Sequence, residues 1–148
     1  MKITCLVDNC ALDGFAAEHG LSFWVEALGH KFLFDVGATD AFIKNAEALG
    51  IDIAEAEFCA VSHGHYDHGG LAAFRRANSR ARVYVRSGAF GARYSNKPGM
   101  AREYIGLDSS LEADGRIVET GETFELCPGM TLVSGVTGDE LHSPANDV

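Results

Sequence analysis

The sequence predicts a mixed α/β layered domain. Three observations carry that expectation. Short apolar stretches of strand character recur through the first ninety residues, two segments of helical period separate the later ones, and the last third reads as strands joined by glycine turns. No repeat or low-complexity linker interrupts the 148 residues, so 1–148 reads as a single domain.

"KITCLVD" (2–8) is expected as the first strand, followed by an irregular segment ending in His19 and Gly20. "LSFWVEAL" (21–28) and "KFLFDVG" (31–37) read as a hairpin turning at Gly29. Phe42, Ile43, Ala46 and Leu49 share one face of a helix over 41–50, with Thr39 or Asp40 as its cap and Gly50 as its stop. "EFCAVS" (57–62) suits a short buried strand. A second helix over 69–79 carries Leu71, Phe74 and Ala77 in one stripe, and "RVYVR" (82–86) alternates as a strand should. Residues 87–115 read as irregular, with one short helix. "RIVET", "TFELC" and "MTLVSG" are three late strands, turning at Gly121 and at Pro128-Gly129.

With 47% hydrophobic and 22% charged residues the composition is that of a soluble globular protein. No apolar run approaches the roughly 20 residues that span a bilayer, so no membrane role is expected. The opening "MKITCLVDN" stops being apolar at Asp8, which suits a strand better than a signal peptide and leads to an expected cytoplasmic location. The four cysteines form no CxxC pair; Cys5 and Cys59 are expected as small core residues in a reducing compartment. A net charge of −9 argues against nonspecific nucleic-acid binding. That charge is uneven: residues 75–102 hold eight of the twelve basic residues and no acidic one. The block suits either a small anionic substrate, through Arg93, Lys97 and Arg102, or an arginine-rich surface paired with acidic neighbours.

The chemistry concentrates in "CAVSHGHYDHGG" (59–70), which holds three of the six histidines within six positions. His63 and His65 are two apart, so extended backbone would project both rings to one side as a chelate. Asp67 and His68 follow after a turn and can address a second point nearby. Imidazole and carboxylate donors together suit zinc, with iron or manganese as alternatives. Two such cations about 3.5–4 Å apart can share and activate a hydroxide. Gly69 and Gly70 allow close backbone approach where the second helix begins. His30 and His142 stand outside any such pattern and are expected to be solvated.

His63-Gly64-His65-Tyr66-Asp67-His68 resembles the HxHxDH signature of the metallo-β-lactamase superfamily. "FLFDVG" resembles that family's earlier motif, in which a strand ends in an aspartate; Asp35 would then orient a metal-binding histidine from behind. "LVDN", "AEHGLSFWVE" and "FIKNAEALGID" are similar to a subgroup labelled dihydropterin ribofuranosylaminobenzene phosphate synthase-like, which would bring Asp8, Asn9, Glu18 and His19 near the mouth of the site. The resemblance implies the N-terminal part of a metallo-β-lactamase-like layered αββα fold. It implies two divalent metal ions, His63 and His65 holding one, Asp67 and His68 the other, with Asp67 also orienting the nucleophile. The implied reaction is attack of a metal-bridging hydroxide on an ester or phosphoester of a small anionic substrate, with His19 a candidate substrate contact. The alternative is a non-catalytic ligand-binding or assembly module that keeps a partial metal site.

The family's second half supplies further ligands, and none is matched here. The setting of His142, "DELHSP", lacks a preceding apolar strand. The domain is therefore expected to be incomplete at its C-terminus, completed by a separate C-terminal segment or by a homodimer. One sheet face, carrying Leu21, Phe23, Phe32, Phe34 or Val61, should then stand open.

Overall fold

Side-chain alternation along the first strands sets the architecture. The computed structural model describes residues 1–95 and 101–135. Strands β1 (Lys2–Val7), β2 (Ser22–Ala27) and β3 (His30–Phe34) run antiparallel. β4 (Phe58–Ala60), β5 (Arg82–Arg86) and β8 (Ile117–Thr120) then add in parallel, in the order β1-β2-β3-β4-β5-β8. Helices α1 (Ala41–Ala48) and α2 (Leu71–Ala77) make the crossovers into β4 and β5.

One parity of residues, Trp24, Leu33, Cys59 and Val83 in register, is buried and joins Phe42 and Ala46 of α1 and Leu71 and Phe74 of α2 in a single core. On the other face an aromatic row crosses the strands. Phe32 stacks on Phe58 at 4.6 Å, Phe58 meets Tyr84 edge-on at 5.7 Å, and Tyr84 meets Phe124 at 5.5 Å. Phe124 belongs to a hairpin of β9 (Thr123–Cys127) and β10 (Met130–Val133), so this sheet has helices on one face and a second, small sheet on the other. Phe23, Phe32 and Phe34 are half-buried where an open face was expected, and Val61 is buried in the helix-covered core.

Other expectations are corrected. β3 stops at Phe34 and not at 37, because Asp35 takes a left-handed φ of +59°. Cys59 is buried as expected, but Cys5 is exposed: its parity places it on the second face of the edge strand β1, beyond the hairpin's reach. His30 is not simply solvated; its Nδ1 lies 2.8 Å from Glu57 Oε2, and this bond holds the Glu57 carboxyl below its ordinary range. The Thr39 hydroxyl accepts from Ala41 N at 3.2 Å, while Asp40 instead pairs with Lys44 at 2.8 Å. A ribbon of β6 (Tyr94–Ser95) and β7 (Glu103–Tyr104) was not foreseen, since two-residue strands are too short to show alternation. Among the described residues no helix is long and apolar enough to cross a membrane. His142 lies outside the described residues.

The β2–β3 hairpin turns on Leu28 and Gly29, both at positive φ (+54° and +85°). A two-residue turn of that kind matches the strand twist, but leucine there carries left-handed strain of about 1 kcal/mol. Leu28 is 64% exposed and loses little packing if replaced. Leu28→Asn should therefore raise unfolding stability by about 1 kcal/mol, read from the urea midpoint; an unchanged or lowered midpoint would count against strain at this turn.

Candidate metal centre

The site is built outward from Asp35, which is fully buried. Its Oδ1 accepts from Ser62 N at 2.7 Å, and its Oδ2 accepts from Ser62 Oγ and from His68 Nδ1, each at 2.7 Å. Its backbone N–H donates to Ala60 O at 2.9 Å, and its carbonyl accepts from Ser22 Oγ at 2.9 Å. The residue therefore locks the end of β3 to the end of β4 and to the histidine loop that follows.

These bonds fix proton positions. A serine hydroxyl has one proton to give, and that of Ser62 goes to Asp35. Toward His63 Nδ1, 2.9 Å away, Ser62 Oγ must accept. His63 thus carries its proton on Nδ1 and keeps a lone pair on Nε2. His68 likewise donates from Nδ1 to Asp35 and turns Nε2 outward.

His63 Nε2 faces His65 Nδ1 at 3.0 Å, and the ring centroids of His63 and His68 are 4.3 Å apart. Asp67 Oδ2 lies 3.8 Å from His68 Nε2 and 3.3 Å from His19 Nε2. The facing of His63 and His65 does not come from extended backbone. The segment turns, with His65 N donating to His63 O at 3.0 Å and His68 N to His65 O at 3.2 Å. Glycines permit this packing: a Cβ on Gly64 would collide with the Ala89 carbonyl, and one on Gly70 would stand 2.8 Å from Gly37 O.

Burial, followed by repulsion from His68 and His65, pushes the His63 imidazole below its ordinary pKa. That favours the neutral form a metal ligand requires. The hydrogen bond that His68 donates to Asp35 pushes its imidazole pKa upward, so proton and cation compete for Nε2. The donors present, imidazole nitrogen and carboxylate oxygen, fit a borderline divalent cation in kind. In number they fall short: among the described residues no group of three or more His, Cys, Asp or Glu side chains is gathered to hold a metal by itself.

The basic block divides. Arg75 pairs with Asp114 at 2.7 Å, a carboxylate that Arg116, outside the block, also approaches at 3.5 Å. Arg102 lies over the Tyr94 ring at 4.1 Å, and Tyr94 meets Tyr104 at 5.5 Å on the β6–β7 ribbon. This ribbon's continuation joins the histidine loop, through Tyr66 N donating to Ile105 O at 2.9 Å and a bridge between His65 and Gly106. Arg93 is exposed and donates to Gly88 O at 3.2 Å. Lys97 lies outside the described residues. Ser62 is a further functional residue, marked in the sequence only by a hydroxyl directly before the first histidine.

No family model matches the chain. The uncharacterized protein MJ0448 of Methanocaldococcus jannaschii is 30% identical over 125 residues, covering 79% of this chain and 47% of the relative. The 7,8-dihydropterin-6-methyl-4-(beta-D-ribofuranosyl)-aminobenzene-5'-phosphate synthase of the same organism is 25% identical over 138 residues, 85% of this chain and 47% of the relative. The chain spans about half the length of the curated relatives it matches. Among solved structures, Tm1679, a metal-dependent hydrolase of the β-lactamase superfamily, superposes with a TM-score of 0.62 at 29% identity, over 88% of this chain and 46% of that one. A quorum-quenching N-acyl homoserine lactone lactonase superposes at 0.55 and 16% identity, over 76% of this chain and 49% of its own, a likeness of fold alone. The half-parallel sheet, its helices on one face and the histidine loop at the end of β4 are the features of a metallo-β-lactamase-like fold. In this fold, and in its likeness to Tm1679, the chain resembles members of the metallo-β-lactamase superfamily.

Asp35→Asn tests the proton assignment. An amide nitrogen facing His68 Nδ1 would donate where the carboxylate accepted, moving the His68 proton to Nε2. Nitrogen-15 imidazole spectra should show His68 switching tautomer, and metal affinity should fall about 10–100-fold. Retention of the Nδ1–H form in the variant would refute the assignment.

Proposed function

We propose that this chain is the metal-binding part of a metal-dependent hydrolase that cleaves an ester or phosphoester of a small anionic molecule. The observation that carries the reading is the facing pair His63 Nε2 and His65 Nδ1 at 3.0 Å, with the His63 proton held at the back by Ser62. Nitrogens about 2.0–2.1 Å from one tetrahedral ion stand about 3.3 Å apart, so the pair already sits near the spacing of a chelate. His63 and His65 would hold one divalent ion, and Asp67 and His68 a second; zinc is the first expectation, iron or manganese the alternatives. When bound, such ions supply Lewis acidity and make water nucleophilic near neutral pH.

The chain's own groups do the positioning. Asp35 and Ser62 hold two imidazoles in the ligating tautomer. Asp67, nearly buried, offers an acceptor oxygen at the edge of the site, suited to orienting an attacking water. The donors still needed come, in this reading, from further polypeptide, as a separate C-terminal segment or a second copy. Arg93 and Arg102, flanking the ribbon whose continuation joins the histidine loop, give an anionic substrate its attraction. The likeness to a protein named for a phosphate-bearing dihydropterin product supports an anionic ligand of that general kind. The non-catalytic alternative draws on the lack of a gathered three-donor group among the described residues; it requires metal binding without turnover.

Replacing His63 and His65 together by alanine should abolish metal retention by elemental analysis and any turnover of a generic phosphodiester. Unchanged metal content would sink the assignment, and metal without turnover in the parent protein would favour the binding module. Arg102→Gln should raise KM severalfold for an anionic substrate while leaving a neutral analogue unaffected. Equal effects on both would make Arg102 a surface residue only.

A further inference from the structure

We propose that His19 is an additional metal ligand, joining Asp67 and His68 around the second cation; this rests on the metal-centre reading above. The segment that carries His19 has no regular structure, yet it is anchored at three points. The buried Asn45 side chain accepts from Ala16 N at 2.9 Å and donates to Ala16 O at 2.8 Å and Leu6 O at 2.6 Å. The Glu18 carboxylate accepts from Ala38 N at 2.9 Å, Thr39 N at 3.2 Å and the Thr39 hydroxyl at 2.6 Å. Gly20, at φ +137°, lies directly on the backbone of Asp67, where any Cβ would collide with the Asp67 carbonyl. Asn9 Oδ1 accepts from Gly20 N at 3.2 Å, and Leu21 N donates to Asp67 O at 3.4 Å.

Between the last two anchors sits His19, its side chain 73% exposed, with Nε2 3.3 Å from Asp67 Oδ2. No hydrogen bond joins the two side chains at this approach. With the histidine in solvent and only Asp67 buried, such a contact by itself adds little to stability. Three anchors, one of them buried, are out of proportion to so weak a contact. They are in proportion to presenting an imidazole beside a carboxylate at the spacing of two donors on one ion, about 3.3 Å. Asp67 Oδ2 is also the oxygen nearest His68 Nε2, at 3.8 Å, so it stands between the two imidazoles. The three side chains do not yet close on one point. His19 is exposed enough to close the gap by rotating its side chain, while its backbone stays fixed. The resulting set of two nitrogens and one oxygen selects a borderline divalent cation such as zinc.

The test titrates zinc, and separately cobalt, into the purified, chelator-stripped protein, with calorimetry and visible absorption as readouts. His19→Ala should keep the ion bound by His63 and His65, weaken the other about 10–100-fold and alter the cobalt spectrum. His19→Cys should restore affinity and add a thiolate-to-cobalt charge-transfer band, which only direct ligation produces. Glu18→Gln should weaken the same ion by a smaller factor, because the carboxylate clasp is loosened. If His19→Ala matches the parent protein in stoichiometry, affinity and spectrum, or changes only KM for substrate, His19 is not a ligand. If the double alanine variant of His63 and His65 binds metal normally, the underlying metal-centre reading fails instead, and the two failures are told apart.

Discussion

Everything at the candidate centre hangs on one buried carboxylate. Asp35 has no exposed surface, and a charge in that position is unfavourable unless donors surround it. Three donors do: Ser62 N, Ser62 Oγ and His68 Nδ1. Hydrogen bonds to a charged group contribute about 1.5–3 kcal/mol each. Their sum exceeds the roughly 1–2 kcal/mol that a left-handed non-glycine residue costs, so the strained φ persists. The strain also has a use. By ending β3 at Phe34 it turns the carboxylate toward the end of β4, where the histidine loop starts.

That geometry explains why the core on one side of the sheet and the chemistry at its edge are a single construction. Leu33 and Cys59 lie side by side in the helix-covered core, and the residues that follow each of them within a few positions meet again at Asp35 and Ser62. The Cys59 thiol is pushed well above its ordinary pKa by burial, with Asp35 adding to it, so it is kept as an inert thiol beside the histidine loop. The parallel pairing of β3, β4 and β5 brings the ends of these strands to one edge, the place where open α/β sheets present their sites.

Much of this was legible in the sequence, and the limits have physical causes. The strands, both helices and the histidine loop stood out because each carries a period or a dense motif. The β6–β7 ribbon did not, because two residues per strand give no period. Cys5 was misjudged because an apolar neighbourhood does not say which face of an edge strand is covered. His63 and His65 were expected to meet through extended backbone and meet instead through a turn, since two residues two apart can be brought together by either. Ser62 went unweighed because a hydroxyl before a histidine is common; what distinguishes it is Asp35, 27 positions earlier in the chain.

On the second face of the sheet the covering supplied by the described residues is uneven. The β9–β10 hairpin covers the aromatic row through Tyr84 and Phe124, and Leu132 joins Phe34 and Val61 around a cavity of about 150 Å³. Toward β1 the covering by the described residues runs out, leaving Ile3 and Cys5 exposed on the edge strand. The donor set is uneven in the same way. The side of the loop backed by Asp35 and Ser62 has its ring orientations fixed by hydrogen bonds. The side facing Asp67 relies on a segment held by Asn45, Glu18 and Gly20, none of which touches a donor nitrogen. Orientation from behind and presentation from the front are thus supplied by different parts of the chain: Asp35 and Ser62 fix the rings of His63 and His68, while Asn45, Glu18 and Gly20 hold the segment that carries His19.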